Sequence, residues 1–588
     1  MCGIAGFIGE GESPVLHRMI DVLAHRGPDG EGTWIDQNSR LFLGHRRLSI
    51  VDLAAGSQPM TTLDEQLVIT FNGEIYNHAE LRRGLEALGH RFKTDHSDTE
   101  VLLYGYREWG PAMLEKLNGM WSFAIYDREE RELFLSRDRF GKKPLFYYSD
   151  DRSFVFASEL TSLRLHPAVP QNVDSQALQK LFAYGFIPAP WSLLARVKKL
   201  PAGHWIKVGI QDLRCEIRKY WQFELDPFET IPPNPERVWG EELVHRLDEA
   251  VRCRLEADVP VGVFLSGGID STTIATLAAR HHPSIETFSI GFEEKSFDEL
   301  EFARFGAETA KTSHHEDILS PERSLKWALT TGEKLDEVMG DSSILPTALV
   351  SKLARQRVTV ALSGDGSDEL FAGYDPFRAL KPARLYSAVA AGKINRALRA
   401  VVERLPVSHA NMSLDFKLKR MLRGLSHPSQ YWLPAWMGPL DVLEIGELFG
   451  CQPDPEELYA EAIAAWNHPS AKNDVDRTIQ FYVRLYLQDD ILVKTDRASM
   501  MHRLEARCPF LDLHMVDFAR RIPSTYKLRG GITKYILKEA VRGLIPDRLI
   551  DRPKKGFGIP IGNWFKNGDL NLEGAADPKE IDWAWINR

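Results

Sequence analysis

The chain has 588 residues, a net charge of −9, 44% apolar and 26% charged residues, the profile of a globular protein too long for a single core, so two or three domains are expected. The negative balance argues against a nucleic-acid partner, and the scattered Cys2, Cys215, Cys253, Cys451 and Cys508 suggest neither a disulfide framework nor a zinc site. No run approaches the ~18 apolar residues of a membrane span and no signal-peptide head is present, so a cytoplasmic protein without a membrane partner is expected.

The chain opens on Met1-Cys2-Gly3-Ile4-Ala5-Gly6-Phe7. If Met1 is removed, Cys2 carries a thiol and a free amine, and an amine of pKa about 7.7–8.0 can act as general base for its own nucleophile. From here to about residue 202 the apolar pattern is mostly short runs, Leu67–Phe71, Ser122–Tyr126, Leu133–Leu135 and Phe154–Ala157, which read as strands. Helical periodicity falls at Leu16–Leu23, Ala79–Leu88 and Thr99–Trp109. A sheet covered by a few helices is expected.

Four polar segments in this half could grip an amino acid: His25–Gly30, Arg46–Asp52, Asn72–Asn77 and Ser97–Glu100. An arginine such as Arg47 can hold an α-carboxylate, Glu74 and Asp98 an α-ammonium, and Asn72 with the Gly73 N–H an oxyanion. Each also has a plainer reading. Asn72-Gly73 is a common hairpin turn, Ser97–Glu100 could cap a helix, and Arg47 could be a solvated edge charge.

In this order the segments resemble the class II glutamine amidotransferases, the N-terminal-nucleophile glutaminases, over the first third of the chain. The resemblance implies an αββα glutaminase domain over residues 1–205. It also implies that Cys2 attacks the glutamine amide, releasing ammonia and leaving a thioester for water.

Asp226-Pro227 and Ile231-Pro232-Pro233-Asn234-Pro235 exclude regular structure, so 206–240 is expected as a linker, with a helix over Glu241–Leu255 after it. Val261–Leu265 then reads as a buried strand running into Ser266-Gly267-Gly268-Ile269-Asp270-Ser271, where glycines and a helix start near Asp270 suit an anion. It is not a Walker A loop. Strands at Ile285–Ile290 and Val358–Leu362 are separated by helices at Glu299–Ala310 and Thr347–Ala354, and the last strand ends in Ser363-Gly364-Asp365-Gly366-Ser367-Asp368-Glu369. This is the pattern of a doubly wound parallel α/β sheet, expected over residues 241–588. Taken singly, either Ser-Gly loop could be plain strand-to-helix punctuation.

Together the two loops resemble the PP-loop of ATP pyrophosphatases, in the form used by asparagine synthetases and related to adenine nucleotide α-hydrolases. Asp490–Met500, Glu505–Asp512, Gly531–Leu537 and Arg552–Gly558 also match, so the resemblance covers most of the chain outside 376–473 and the C-terminal tail. It implies ATP as substrate, held by Leu265, Ser266, Gly267, Gly268, Asp270, Ser271, Ile290, Ser363 and Gly364. Asp270 and Asp368 are implied as Mg²⁺ ligands, Lys534 as the cation stabilising phosphate and acyl-adenylate charge, and Asp365 as a base. Glutamine, ATP and aspartate are the implied small-molecule partners, ammonia is implied to pass between the sites inside the protein, and a homodimer is common in the family.

Two departures bear on the acceptor. Asp365 stands where some asparagine synthetases have glutamate, and Gly340-Asp341-Ser342-Ser343 replaces a Thr-Thr-x-Arg segment that holds aspartate in one branch. Amidation of another carboxylate, on a surface sugar or a secondary metabolite, is the alternative. A catalytically lapsed glutamine or ATP sensor is a third reading, which intact Cys2, Asp270, Asp368 and Lys534 disfavour.

Overall fold

The computed structural model describes residues 2–320, 323, 335–389, 393–404, 413–553 and 558–560. The expected Lys554–Phe557 part of the Arg552–Gly558 motif and the C-terminal tail lie outside the described residues.

The first half stacks two antiparallel six-stranded sheets. One runs in the order Lys198–Lys199, Phe146–Ser149, Ser153–Ala157, Gly3–Gly9, Leu41–Arg47, Gly30–Asp36; the other runs Cys215–Lys219, His204–Gly209, Glu132–Arg137, Gly119–Asp127, Leu67–Ile75, Met60–Thr61. Between them lies a core of Ile4, Ile8, Leu41, Leu43, Val68, Ala124, Leu135 and Ile206. The opposite faces of the same strands also bury apolar side chains. Phe7 and Phe42 pack on Leu16, Met19 and Ile20 of the helix Ser13–Asp21, while Phe71 and Trp121 pack on Leu102 and Leu103 of the helix Asp98–Trp109. Strands covered on both faces lose the alternation of a half-exposed sheet and read as continuous apolar runs. Three core layers make the expected αββα stack.

The strands His204–Gly209 and Cys215–Lys219 continue the second sheet beyond residue 205, into the expected linker. The helix after it starts at Pro235, with proline at its first turn, and runs to Arg254. Irregular backbone is thus confined to 220–234.

The second half holds a five-stranded parallel sheet in the order Ser313–Leu319, Glu286–Phe292, Val261–Phe264, Val360–Leu362, Glu505–Arg507. In chain order this is 3-2-1-4-5, and direction of progression reverses between Val261–Phe264 and Val360–Leu362. A crevice opens at the carboxyl ends of such a pair. A helical insertion, including Asp375–Val389, Leu414–Gly424 and Asp474–Phe481, separates the fourth strand from the fifth. A π-helical segment, Tyr482–Ile491, leads directly into the helix Leu492–Met500. No helix among the described residues is long and apolar enough to cross a membrane.

Candidate functional site

Cys2 precedes the strand Gly3–Gly9, and its backbone is held on both sides. Its N–H donates to Asn72 Oδ1 at 2.9 Å, and its carbonyl accepts from Arg26 Nε at 3.1 Å. The thiol lies 3.9 Å from the Leu48 carbonyl, and burial pushes its pKa up. A thiol in that state needs a base to become a nucleophile.

Asn72-Gly73 forms no turn. It lies inside the strand Leu67–Ile75, where a Cβ on Gly73 would stand 2.1 Å from the Met120 carbonyl oxygen of the neighbouring strand. Asn72 is fully buried, and its Nδ2 has no hydrogen-bond partner among the described residues. An unsatisfied buried donor costs about 1–3 kcal/mol, so a polar ligand atom beside Cys2 would relieve that cost. This is the property an oxyanion site requires.

Arg47 is half-buried and anchored by the backbone, donating to the carbonyls of Leu53 at 3.2 Å and Asp52 at 2.6 Å. Asp98 is the first residue of its helix, and its Oδ2 accepts from the Ile75 N–H at 3.1 Å. Glu74 and Asp98 are buried close together. Burial raises the pKa of both, and Asp98 pushes Glu74 further up. Glu74 Oε2 faces Arg507 Nη2 at 3.3 Å, so one of its oxygens already meets a cation supplied by the second half of the chain.

In the second half, Leu265, Ser266, Gly268, Asp270, Ser271, Ile290, Ser363, Gly364, Asp365, Asp368 and Lys534 all line one cavity of about 480 Å³ at the strand reversal. Gly267, expected at the same site, does not line it. Its φ of +67° and a hypothetical Cβ 2.3 Å from the Phe302 carbonyl carbon restrict that position to glycine. Phe288, Phe292 and Val350 make an apolar wall. Lys534 Nζ bonds Asp270 Oδ2 at 2.6 Å and Asp368 Oδ1 at 2.8 Å. Burial alone would lower its pKa, but these two carboxylates hold it above the usual lysine value. Lys534 has a left-handed φ of +55°, a conformation costing about 1–3 kcal/mol and concentrated at functional sites.

Asp365 Oδ2 accepts from Ser363 Oγ at 2.9 Å and Thr495 Oγ1 at 3.0 Å. Lys494 Nζ bonds Asp341 Oδ2 at 3.1 Å and Ser343 Oγ at 2.9 Å, placing the Gly340–Ser343 segment on the cavity wall. No group of three or more candidate metal ligands occurs among the described residues. Mg²⁺, however, is commonly held by one or two carboxylates plus substrate phosphates. Asp270 and Asp368, hard oxygen donors already converging on one cation, fit that pattern.

Sequence reasoning singled out the segments containing Arg26 and Asp496 but gave neither residue a role. Arg26 is fully buried and joins three groups: the Cys2 carbonyl, Glu159 Oε1 at 2.8 Å and Asp496 Oδ2 at 2.8 Å. Beside this bridge, Arg26, Lys142, Glu159, Asp336, Val493 and Asp496 help line a second cavity of about 20 Å³. It has room for one water-sized molecule.

Comparison with known proteins follows the same division. Residues 242–573 match the asparagine synthase family, and residues 1–221 match a glutamine amidotransferase domain. The chain is 34% identical to glutamine-hydrolysing asparagine synthetase 1 of Bacillus subtilis (strain 168) over 580 residues, covering 96% of this chain and 88% of that one. It is 30% identical to synthetase 3 of the same organism over 628 residues, covering 99% and 93% respectively. A relative named amidase chry2, from Gibberella zeae, is 28% identical over 626 residues, with coverage of 96% and 90%.

Proposed function

Since this chain belongs to the family of glutamine-hydrolysing asparagine synthetases, we propose that it converts L-aspartate, ATP, L-glutamine and water to L-asparagine, AMP, pyrophosphate and L-glutamate. The observation that carries the reading is the cavity in which the Ser266–Ser271 loop, the Ser363–Asp368 loop and Lys534 converge, built into the same chain as a buried thiol beside an unpartnered amide donor.

In the first half-reaction Cys2 Sγ attacks the side-chain carbonyl carbon of glutamine. Asn72 Nδ2 and the Gly73 N–H receive the oxyanion, Arg47 holds the α-carboxylate, and Asp98 with Glu74 holds the α-ammonium. The C–N bond breaks, ammonia leaves with the thiol's proton, and water cleaves the thioester to glutamate. With Met1 removed, the Cys2 amine is the local base, offsetting the upward push that burial gives the thiol.

In the second half-reaction the β-carboxylate of aspartate attacks the α-phosphorus of ATP and pyrophosphate departs. Ammonia then attacks the acyl carbon, AMP leaves, and Asp365 takes the proton released by the incoming nitrogen. Lys534 lies against the phosphates, where its ammonium balances charge that grows as the bond to pyrophosphate breaks. Asp270 and Asp368 would hold Mg²⁺, which when bound supplies Lewis-acid neutralisation of the phosphates. Asp341, Ser343 and Lys494 form the wall against which the acceptor's amino-acid end is placed. The small cavity beside Arg26 and Asp496 is lined by both halves of the chain, by Arg26 and Glu159 from the first and by Asp336, Val493 and Asp496 from the second, which supports an internal route for ammonia.

The test is pyrophosphate release with Mg-ATP and glutamine, with and without L-aspartate, with products identified by mass. Aspartate-dependent pyrophosphate matched by asparagine is expected. Glutamate and ammonia without aspartate-dependent pyrophosphate would discard aspartate as the acceptor.

A further inference from the structure

The helix Leu492–Met500 touches both candidate centres through three consecutive residues. Lys494 reaches Asp341 and Ser343 and Thr495 reaches Asp365, all in the ATP cavity, whereas Asp496 leaves the opposite side and meets Arg26. Successive helix residues are about 100° apart, so Lys494 and Asp496 project roughly 200° apart around one rigid rod.

Arg26 links that contact to the backbone of Cys2. A guanidinium is planar, and here all three of its nitrogens are engaged: Nε with the Cys2 carbonyl, Nη1 with Glu159 and Nη2 with Asp496. Asp496 also pairs with Lys143 at 3.3 Å, and the charged members Arg26, Glu159, Lys143 and Asp496 are each at most 5% exposed. A displacement of Asp496 must therefore turn the guanidinium plane or open a buried ion pair, and either change reaches the carbonyl of Cys2. The preceding π-helical segment is a rare geometry, often found at functional sites, and it runs directly into this rod.

Resting on the function proposed above, we propose that Asp496 is a positioning residue for glutamine hydrolysis, contributed by the synthetase half. Occupation of the acceptor cavity against Lys494 and Thr495 is transmitted through Asp496 and Arg26 to the backbone of Cys2. Glutamine is then hydrolysed fastest when ATP and acceptor are in place.

The experiment measures glutamate release by wild type and Asp496→Asn, with and without Mg-ATP plus L-aspartate, alongside asparagine formation from ammonium chloride. Wild-type hydrolysis is expected to rise about 5-fold or more on adding Mg-ATP and aspartate, the size of a typical coupling between sites. In Asp496→Asn the two rates should coincide, with the KM for glutamine unchanged and ammonia-dependent synthesis within about twofold of wild type. If the asparagine variant loses ammonia-dependent synthesis as well, Asp496→Glu decides. It keeps the charge but shifts it by a methylene, and the stimulation should fall while ammonia-dependent synthesis stays. Stimulation that persists in a folded variant, or a wild type with both activities and no stimulation, overturns the role of Asp496. A wild type lacking both activities overturns the proposed function itself.

Discussion

Asn72→Ala tests the glutaminase centre most directly. In the free protein Asn72 Oδ1 makes one hydrogen bond, to the Cys2 N–H at 2.9 Å, and Nδ2 makes none among the described residues. The Oδ1 bond is a ground-state contact worth about 1 kcal/mol. In the proposed mechanism the Nδ2 bond forms fully only when the amide oxygen of glutamine becomes an oxyanion, and loss of one such donor costs about 3–4 kcal/mol, or 10²–10³ in kcat. The variant should therefore lose glutamate release by that factor with little change in KM, because the missing interaction is weak in the bound substrate. Glutamate release is followed at saturating glutamine, with ammonia-dependent asparagine formation as the check that the second domain is intact. A fall in kcat under about tenfold, or an effect lodged in KM, would refute the oxyanion role.

Three further outcomes follow from the geometry. Cys2→Ala should abolish glutamine-dependent asparagine formation while leaving the ammonia-dependent reaction in place, measured as asparagine by mass. Lys534→Met should lower pyrophosphate release about 10²-fold or more with either nitrogen source, because it removes the ammonium shared by Asp270 and Asp368, which in the proposed mechanism balances charge on the phosphates. Glu369 is buried beside Asp368, and burial followed by that neighbour raises its pKa from 4.5 to about 7. Between those values the folded protein keeps a proton the unfolded chain has released, so stability falls as pH rises from about 4.5 to 7, by on the order of 3 kcal/mol in total. Glu369→Gln removes that slope, and its melting temperature should gain on wild type across this window; a constant difference would show that Glu369 does not titrate there.

Much of the architecture was legible because burial on one face or both leaves a pattern in the residues. The helix at Asp98–Trp109, the strand at Val261–Phe264 and the two Ser-Gly loops follow from periodicity and turn chemistry. Asn72-Gly73 misleads locally: the pair suits a hairpin, but close approach of Met120 and the bond to Cys2 place it mid-strand. The edge strand Ser313–Leu319 escapes detection because its sequence, Ser-His-His-Glu-Asp-Ile-Leu, is mostly polar and only its last residue is buried. Glu505–Arg507 is too short to carry a period. The contacts of Arg26 with Asp496 and of Glu74 with Arg507 join residues hundreds of positions apart, and no local pattern encodes such a pairing. Both are among the contacts that join the two halves.

The separation between Arg26 and Asp496, 470 residues, has a consequence for the newly made chain. At about 5–20 residues per second a ribosome reaches Asp496 some 25–95 s after Arg26, by which time the αββα stack has had ample opportunity to fold. During that interval the arginine beside Cys2 lacks its second carboxylate, and Glu74 lacks the guanidinium that later faces it. These two buried charges of the first half therefore find their full set of partners only once the second half of the chain has been made.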